Sequence, residues 1–169
     1  LALQSDFAVG HEAPLPFEYS AEVGKMITYA CVDSTEASAF EIKAEKATNN
    51  WVVIIHEWWG LNDYIKQEAE LLQKDLGNVN IIAIDLYDGK IAETPAMAQQ
   101  LLGGLKEERA RMIIEGALKL TGSKSKILTM GWCMGGGWAM QTSLMLSQVS
   151  LCRNLLLTTL CLADLYSPA

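Results

Sequence analysis

Histidine is scarce in this 169-residue chain: His11 and His56 are the only two. The four cysteines, Cys31, Cys133, Cys152 and Cys161, form no C-x-x-C pair. Together they make no recognisable zinc pattern, so no metal site is expected. A disulfide framework is equally out of place in a chain this long and this aliphatic. Positive charge is also short. Thirteen Lys and Arg against twenty Asp and Glu leave a net charge of -7, where a nucleic-acid face or an anionic membrane surface would demand a basic patch. No apolar run reaches the roughly 18 residues of a transmembrane helix. Prolines number four, and neither internal repeats nor low-complexity segments interrupt the sequence. Half the residues are hydrophobic and a fifth are charged. That is an ordinary globular composition, with length for one domain and one sizeable core. The chain opens on Leu1 rather than Met, so its start is expected to be missing. A removed signal peptide stays open, with the cytoplasm favoured.

Residues 1–24 read as an irregular leader punctuated by Pro14, Pro16 and Gly24. Met26 to Val32 and Ala37 to Ala44 read as a β-hairpin across Asp33-Ser34-Thr35-Glu36. Trp51 to Ile55, Val79 to Ile84 and Lys126 to Met130 are continuous apolar runs of strand length, as expected for strands buried on both faces. Between them lie helical patterns. One starts at a cap on Asn62 or Asp63, puts Ile65, Ala69, Leu72 and Leu76 on its inner face, and stops at Gly77. Thr94-Pro95 reads as N-cap and first residue of another. A third spans Glu107 to Leu120, with Ala110, Ile113, Ala117 and Leu120 inward. Alternating buried strands and amphipathic helices predict an α/β fold with a mainly parallel sheet and right-handed crossovers.

The third strand runs straight into Gly131-Trp132-Cys133-Met134-Gly135-Gly136. A strand that turns sharply into a helix holds its central side chain in a strained, exposed position. Gly131 and Gly135 suit a turn where backbones approach too closely for a Cβ. The N–H of Met134 would face a developing oxyanion, and the helix N-terminus would favour thiolate over thiol. The bland alternative is a buried cysteine beside a closely packed helix start.

Three runs, His56-Glu57-Trp58-Trp59-Gly60-Leu61-Asn62, Asp85-Leu86-Tyr87 and Gly131 to Gly137, resemble the dienelactone hydrolase (carboxymethylenebutenolidase) family in order and spacing. The resemblance covers roughly residues 25–146. It implies an α/β-hydrolase-like three-layer sandwich, a small-molecule ester or lactone substrate, and no cofactor. It also implies catalysis through an acyl-enzyme on a Cys-His-Asp triad. Carried onto this chain, it makes Cys133 the nucleophile and Glu57 the carboxylate that holds the resting thiol. The backbone N–H groups of Trp58 and Met134 become the oxyanion hole. A carboxylate beside Trp58 and Trp59 would have a raised pKa, although the tryptophans could equally cap the core. His56 is expected to be a satisfied residue at a strand end, and His11 structural or exposed. Asp85 should shape its loop, and Arg109 and Arg111 should be solvated.

In the family the triad Asp and His follow the nucleophile. Here no histidine follows Cys133, and the only later acid is Asp164. The expectation is therefore a chain lacking the C-terminal strands and inactive as it stands. Residues 147–169 do not continue the family pattern. A one-base slip near residue 146 would account for them, with a cut or naturally divergent chain as the alternative. The apolar stretch from Leu151 to Leu162 could cover the open sheet edge as a strand or a helix. Failing that cover, marginal stability is expected. A non-catalytic pseudo-hydrolase binding a small carboxylate or ester is the second functional reading, and a thiol redox sensor the third.

Overall fold

A computed structural model of the chain describes residues 13–148 and 160–162. His11, and the tail beyond residue 148 except for the backbone of 160–162, lie outside the described residues. One mixed sheet has the strands β1 (Lys25–Ala30), β2 (Glu36–Ile42), β3 (Asn50–Ile55), β4 (Asn80–Ile84), β5 (Lys126–Trp132) and β6 (Leu160–Leu162). Their order across the sheet is β1-β2-β4-β3-β5-β6. The first two pair antiparallel, and β2 meets β4 antiparallel. From β4 through β3 and β5 to β6 every pairing is parallel. Among the described residues, four helices accompany them: α1 (Asp63–Leu76), α2 (Pro95–Gly104), α3 (Glu107–Thr121) and α4 (Met134–Gln148).

The central strands read as unbroken apolar runs because helices cover both faces. Alternation along each strand sorts the side chains by face. Val53 and Ile55 of β3, with Ile82 and Ile84 of β4, pack with Ala110, Ile113, Ile114 and Ala117 of α3 and Ala139 of α4. Val52, Ile54, Ile81 and Ala83 point the other way, onto Ile65 and Ala69 of α1. Each fully buried isoleucine contributes about 1.5–3 kcal/mol relative to an exposed one. The three layers are those expected.

Helix boundaries follow their caps. The Asn62 side chain accepts the Ile65 N–H at 3.2 Å, and Gly77 closes α1 in the left-handed region at φ 78°. Thr94 Oγ1 accepts the Met97 N–H at 3.3 Å, with Pro95 opening α2. The hairpin turn is closed by the Cys31 N–H donating to Thr35 O at 2.7 Å, while Asp33 Oδ1 accepts from both the N–H and the hydroxyl of Thr35. Two inward assignments need correction. Leu76 and Leu120 are 48% and 43% exposed. Leu76 is the last residue of α1 and Leu120 the last but one of α3.

Residues 13–24, before β1, have no regular structure, yet they are docked. Glu70 of α1, 8% exposed, accepts the N–H groups of Glu22, Val23 and Gly24 and the hydroxyl of Tyr19. Burial works against ionisation of Glu70, but these four donors outweigh it and hold the carboxyl below its usual range. The same hydrogen bond pushes the Tyr19 phenol up to about 12. At the opposite flank, β6 lays its backbone along Met130–Trp132, covering part of the β5 edge with a strand.

Candidate active site

Strand β5 ends at Trp132 and helix α4 starts at Met134, so Cys133 alone makes the junction. Its φ is +49°, in the left-handed region that costs a non-glycine residue roughly 1–2 kcal/mol. The turn is tight on both sides. A Cβ on Gly131 would run into the backbone of Gly135 and lie 2.7 Å from Ile55 O. One on Gly135 would collide with the carbonyl oxygens of Ile55 and His56. The parallel register, Ile55 beside Gly131, sets the end of β3 against this turn. Gly136 N–H donates to Cys133 O at 3.1 Å and closes the first turn of α4. Met134 is the first helical residue, so its N–H has no acceptor within the helix. Cys133 itself is partly exposed.

The β3 end carries His56, Glu57, Trp58 and Trp59, all buried. His56 is wholly enclosed. Its Nε2 accepts the Leu86 N–H at 3.0 Å and its Nδ1 meets Glu57 O at 2.5 Å. The two contacts specify the tautomer with the proton on Nδ1. Burial depresses its pKa, so the ring stays neutral and ties the β3 loop to the β4 loop. It is the satisfied strand-end residue expected. Glu57 is 2% exposed. Trp58 and Trp59 meet edge-on, with ring centroids 5.0 Å apart, and pack on Ala92, Ala98 and Leu101. That environment is a small core beneath α2. Gly60, at φ 95°, brings the loop so close to Lys90 that a Cβ would lie 2.6 Å from its carbonyl oxygen.

The β4 end is organised by Asp85. Its carboxylate accepts from the Ser38 hydroxyl at 2.9 Å, the Tyr87 N–H at 2.9 Å and the Gly89 N–H at 2.6 Å. It shapes the loop, as expected. Tyr87 is thereby placed over the turn. Its ring tilts against His56 at 4.8 Å, and its hydroxyl donates to Met134 Sδ at 3.6 Å. Sequence spacing did not single out Tyr87, because its neighbours in the site are 31 residues before it and 47 after it. Beyond it lies a pocket of about 330 Å³ lined by Tyr87, Lys90, Leu101, Leu105, Lys106 and Arg109. A larger one of about 600 Å³ lies between the leader and the C-terminal end of α1. In parallel α/β sheets ligands enter at the carboxyl ends of strands, which favours the smaller pocket.

Arg109 corrects an expectation. It is not simply solvated: its guanidinium donates to Asp88, to the Thr35 hydroxyl at 2.6 Å and to Glu36 O at 2.6 Å. It pins the hairpin turn to the β4 loop. Arg111 is exposed and, among the described residues, pairs with Glu107, one helical turn away. Among the described residues no three His, Cys, Asp or Glu side chains cluster as metal ligands, and no helix is long and apolar enough to cross a membrane.

Comparison with known proteins agrees with this architecture. The profile of the dienelactone hydrolase family matches residues 37–150, more than half of the chain. Protein usf of Aquifex pyrophilus is 26% identical over 133 residues, which is 70% of this chain and 54% of that protein. A protein of Aquifex aeolicus provisionally named a carboxymethylenebutenolidase is 26% identical over 132 residues, with the same coverage. The chain thus spans about half the length of the curated relatives it matches. Among solved structures, m3DLH superposes with a TM-score of 0.59 at 25% identity, over 73% of this chain and 55% of its own. The dienelactone hydrolase of Anabaena variabilis shares the fold at a TM-score of 0.53 and 16% identity, over 75% and 60%. The family profile spans more than half of the chain, and the chain belongs to the dienelactone hydrolase family, a hydrolase family with the α/β-hydrolase fold.

Proposed function

We propose that Cys133 is the nucleophile of an ester or lactone hydrolase. One observation supports this above the others: a non-glycine residue held at φ +49° as the only link between β5 and α4. Such strain persists where the surroundings impose it, and it concentrates at functional sites. The thiolate would attack the ester carbonyl and form a C–S bond. The oxyanion so formed would be held by the N–H groups of Trp58 and Met134. Its collapse would break the C–O bond and release the alcohol, leaving a thioester that water resolves. Glu57, at the neighbouring strand end, is the group that would hold and accept the thiol proton.

The resolving step needs a base. His56 cannot supply it, being enclosed and engaged at both nitrogens. No histidine follows Cys133. The proposal for this chain is therefore acylation without sustained turnover. With p-nitrophenyl acetate, one equivalent of nitrophenolate per chain should appear in a burst that Cys133→Ala removes. No Cys133-dependent burst would refute the nucleophile. Steady turnover at an enzymatic rate, lost in Cys133→Ala, would refute the block. The absent histidine also keeps a second reading in play, a pseudo-hydrolase binding a small carboxylate or ester. Saturable binding of an ester without any burst would favour it. The out-of-frame origin proposed for residues 147–169 is tested by the coding DNA: the displaced frame should continue to an Asp and a His.

A further inference from the structure

Every N–H donor of the Arg109 guanidinium, five in all, finds an acceptor. Nε and Nη2 fork onto the Asp88 carboxylate at 3.4 and 2.5 Å. Nη2 also donates to Glu36 O at 2.6 Å, while Nη1 donates to the Thr35 hydroxyl at 2.6 Å and to Cys31 Sγ at 3.4 Å. The acceptors come from two loops. Each loop holds a non-glycine residue in the left-handed region, Ser34 at φ 67° and Asp88 at φ 52°. Asp88 and Gly89, at φ 86°, are the centre of a turn closed by Lys90 N–H donating to Tyr87 O at 3.2 Å. Positive φ at both central residues makes it a type I′ turn. This turn and the α2–α3 junction both line the pocket of about 330 Å³. Leu86, Tyr87 and Lys90 come from the one, and Leu101, Leu105 and Lys106 from the other. Asp85 ties the turn to β4 through the N–H groups of Tyr87 and Gly89. The Arg109–Asp88 ion pair ties it to α3.

We propose that Arg109 is a positioning residue of the substrate pocket, fixing the wall built on the Asp88 turn relative to the wall built on the α2–α3 junction. With its donors all engaged, Arg109 acts on a ligand through Asp88 and not by contact. The planar fork is what the arrangement needs. A lysine at position 109 keeps the charge but presents one ammonium point, which cannot hold Asp88, Glu36 and Thr35 together. The rival cause of the same geometry is local, because Asp-Gly favours a type I′ turn by itself. Asn-Gly suits that turn as well as Asp-Gly does, yet an asparagine at position 88 offers Arg109 no charge and no second oxygen. The effect on a ligand rests on the reading of this pocket as the substrate site of a Cys133 hydrolase, while the tie between the walls does not.

The nitrophenolate burst from p-nitrophenyl acetate, followed over a range of ester concentrations, separates binding from chemistry. Arg109→Lys should raise the half-saturating ester concentration about tenfold, the scale of one charge-assisted hydrogen bond. The limiting burst rate and the burst amplitude should stay within about twofold of wild type. An unmoved half-saturation overturns the proposal. So does a fall in amplitude or limiting rate alone, which is what general loosening of the fold produces. Hydrogen exchange at the Lys90 N–H reads the wall directly, and it should quicken about tenfold in both Arg109→Lys and Asp88→Asn. Wild-type exchange in Asp88→Asn would assign the turn to its local preference and overturn the proposal. If Arg109→Lys does not fold, Asp88→Asn carries both measurements. A missing wild-type burst refutes the nucleophile, and the Lys90 exchange then decides Arg109: faster exchange upholds the tie and unchanged exchange overturns it.

Discussion

Replacing Gly135 by alanine and Gly137 by alanine should move stability in opposite directions, although both lie in the first turns of α4. The reason is what each added methyl meets. At Gly135 it runs into two backbone carbonyl oxygens of the β3 end and lies 2.8 Å from the Ile55 carbonyl carbon. Backbone held in a central strand cannot yield as a side chain can, so the helix start must move away from β3. Overpacking of this kind costs about 1–3 kcal/mol or more. At Gly137 nothing lies within 4 Å. Alanine there only removes unfolded-chain entropy and adds helix propensity, a gain of about 0.5–1 kcal/mol. For a chain of this size 1 kcal/mol moves Tm by about 2–4 °C. Thermal unfolding followed by circular dichroism should therefore show Gly137→Ala roughly 1–4 °C above wild type and Gly135→Ala roughly 2–12 °C below it. The Cys133 alkylation rate should change only in Gly135→Ala, because only that variant displaces the turn. Equal shifts in the two variants, or a stabilised Gly135→Ala, would refute the claim that the turn is closed by backbone contact with β3.

Two further outcomes follow from buried titratable groups. His56 has a depressed pKa, so below about pH 6.5 the unfolded chain takes up a proton that the folded chain refuses. Stability should fall as pH drops from 7 to 5, and His56→Gln should be less stable at pH 7 with a flatter dependence over that range; an equally steep dependence in the variant would refute His56 as its source. Glu70 has the opposite charge type. Its depressed pKa gives stability that is complete above about pH 4.3 and lost as pH falls through the folded value. Glu70→Ala should cost about 2–3 kcal/mol and unprotect the amides of Glu22, Val23 and Gly24 in hydrogen exchange at neutral pH; protection unchanged in the variant would refute the clamp.

The two-sided burial of β3 and β4 was legible because continuous apolar runs need cover on both faces. Helix starts were legible at Asn62 and Thr94 because a side-chain cap is a local device. Leu76 and Leu120 misled, since the periodicity continues into the last turn of each helix, where the side chains are exposed. Arg109 misled for a related reason. Its partners Thr35, Glu36 and Asp88 come from two distant loops.

Sequence alone determined the alternation of strands and helices, the position of Cys133 between a strand and a glycine-rich helix start, and the scarcity of histidine. These are local or compositional properties, carried by neighbouring residues. Tertiary structure alone decided that the β3 end lies against the Gly131–Gly135 turn, that His56 is consumed as a neutral brace between two loops, and that Tyr87 stands over the cysteine turn. Those juxtapositions arise from the parallel pairing of β3 with β4, Ile55 beside Ile84, and of β3 with β5, Ile55 beside Gly131, and no short-range pattern encodes which side chains such pairings bring together.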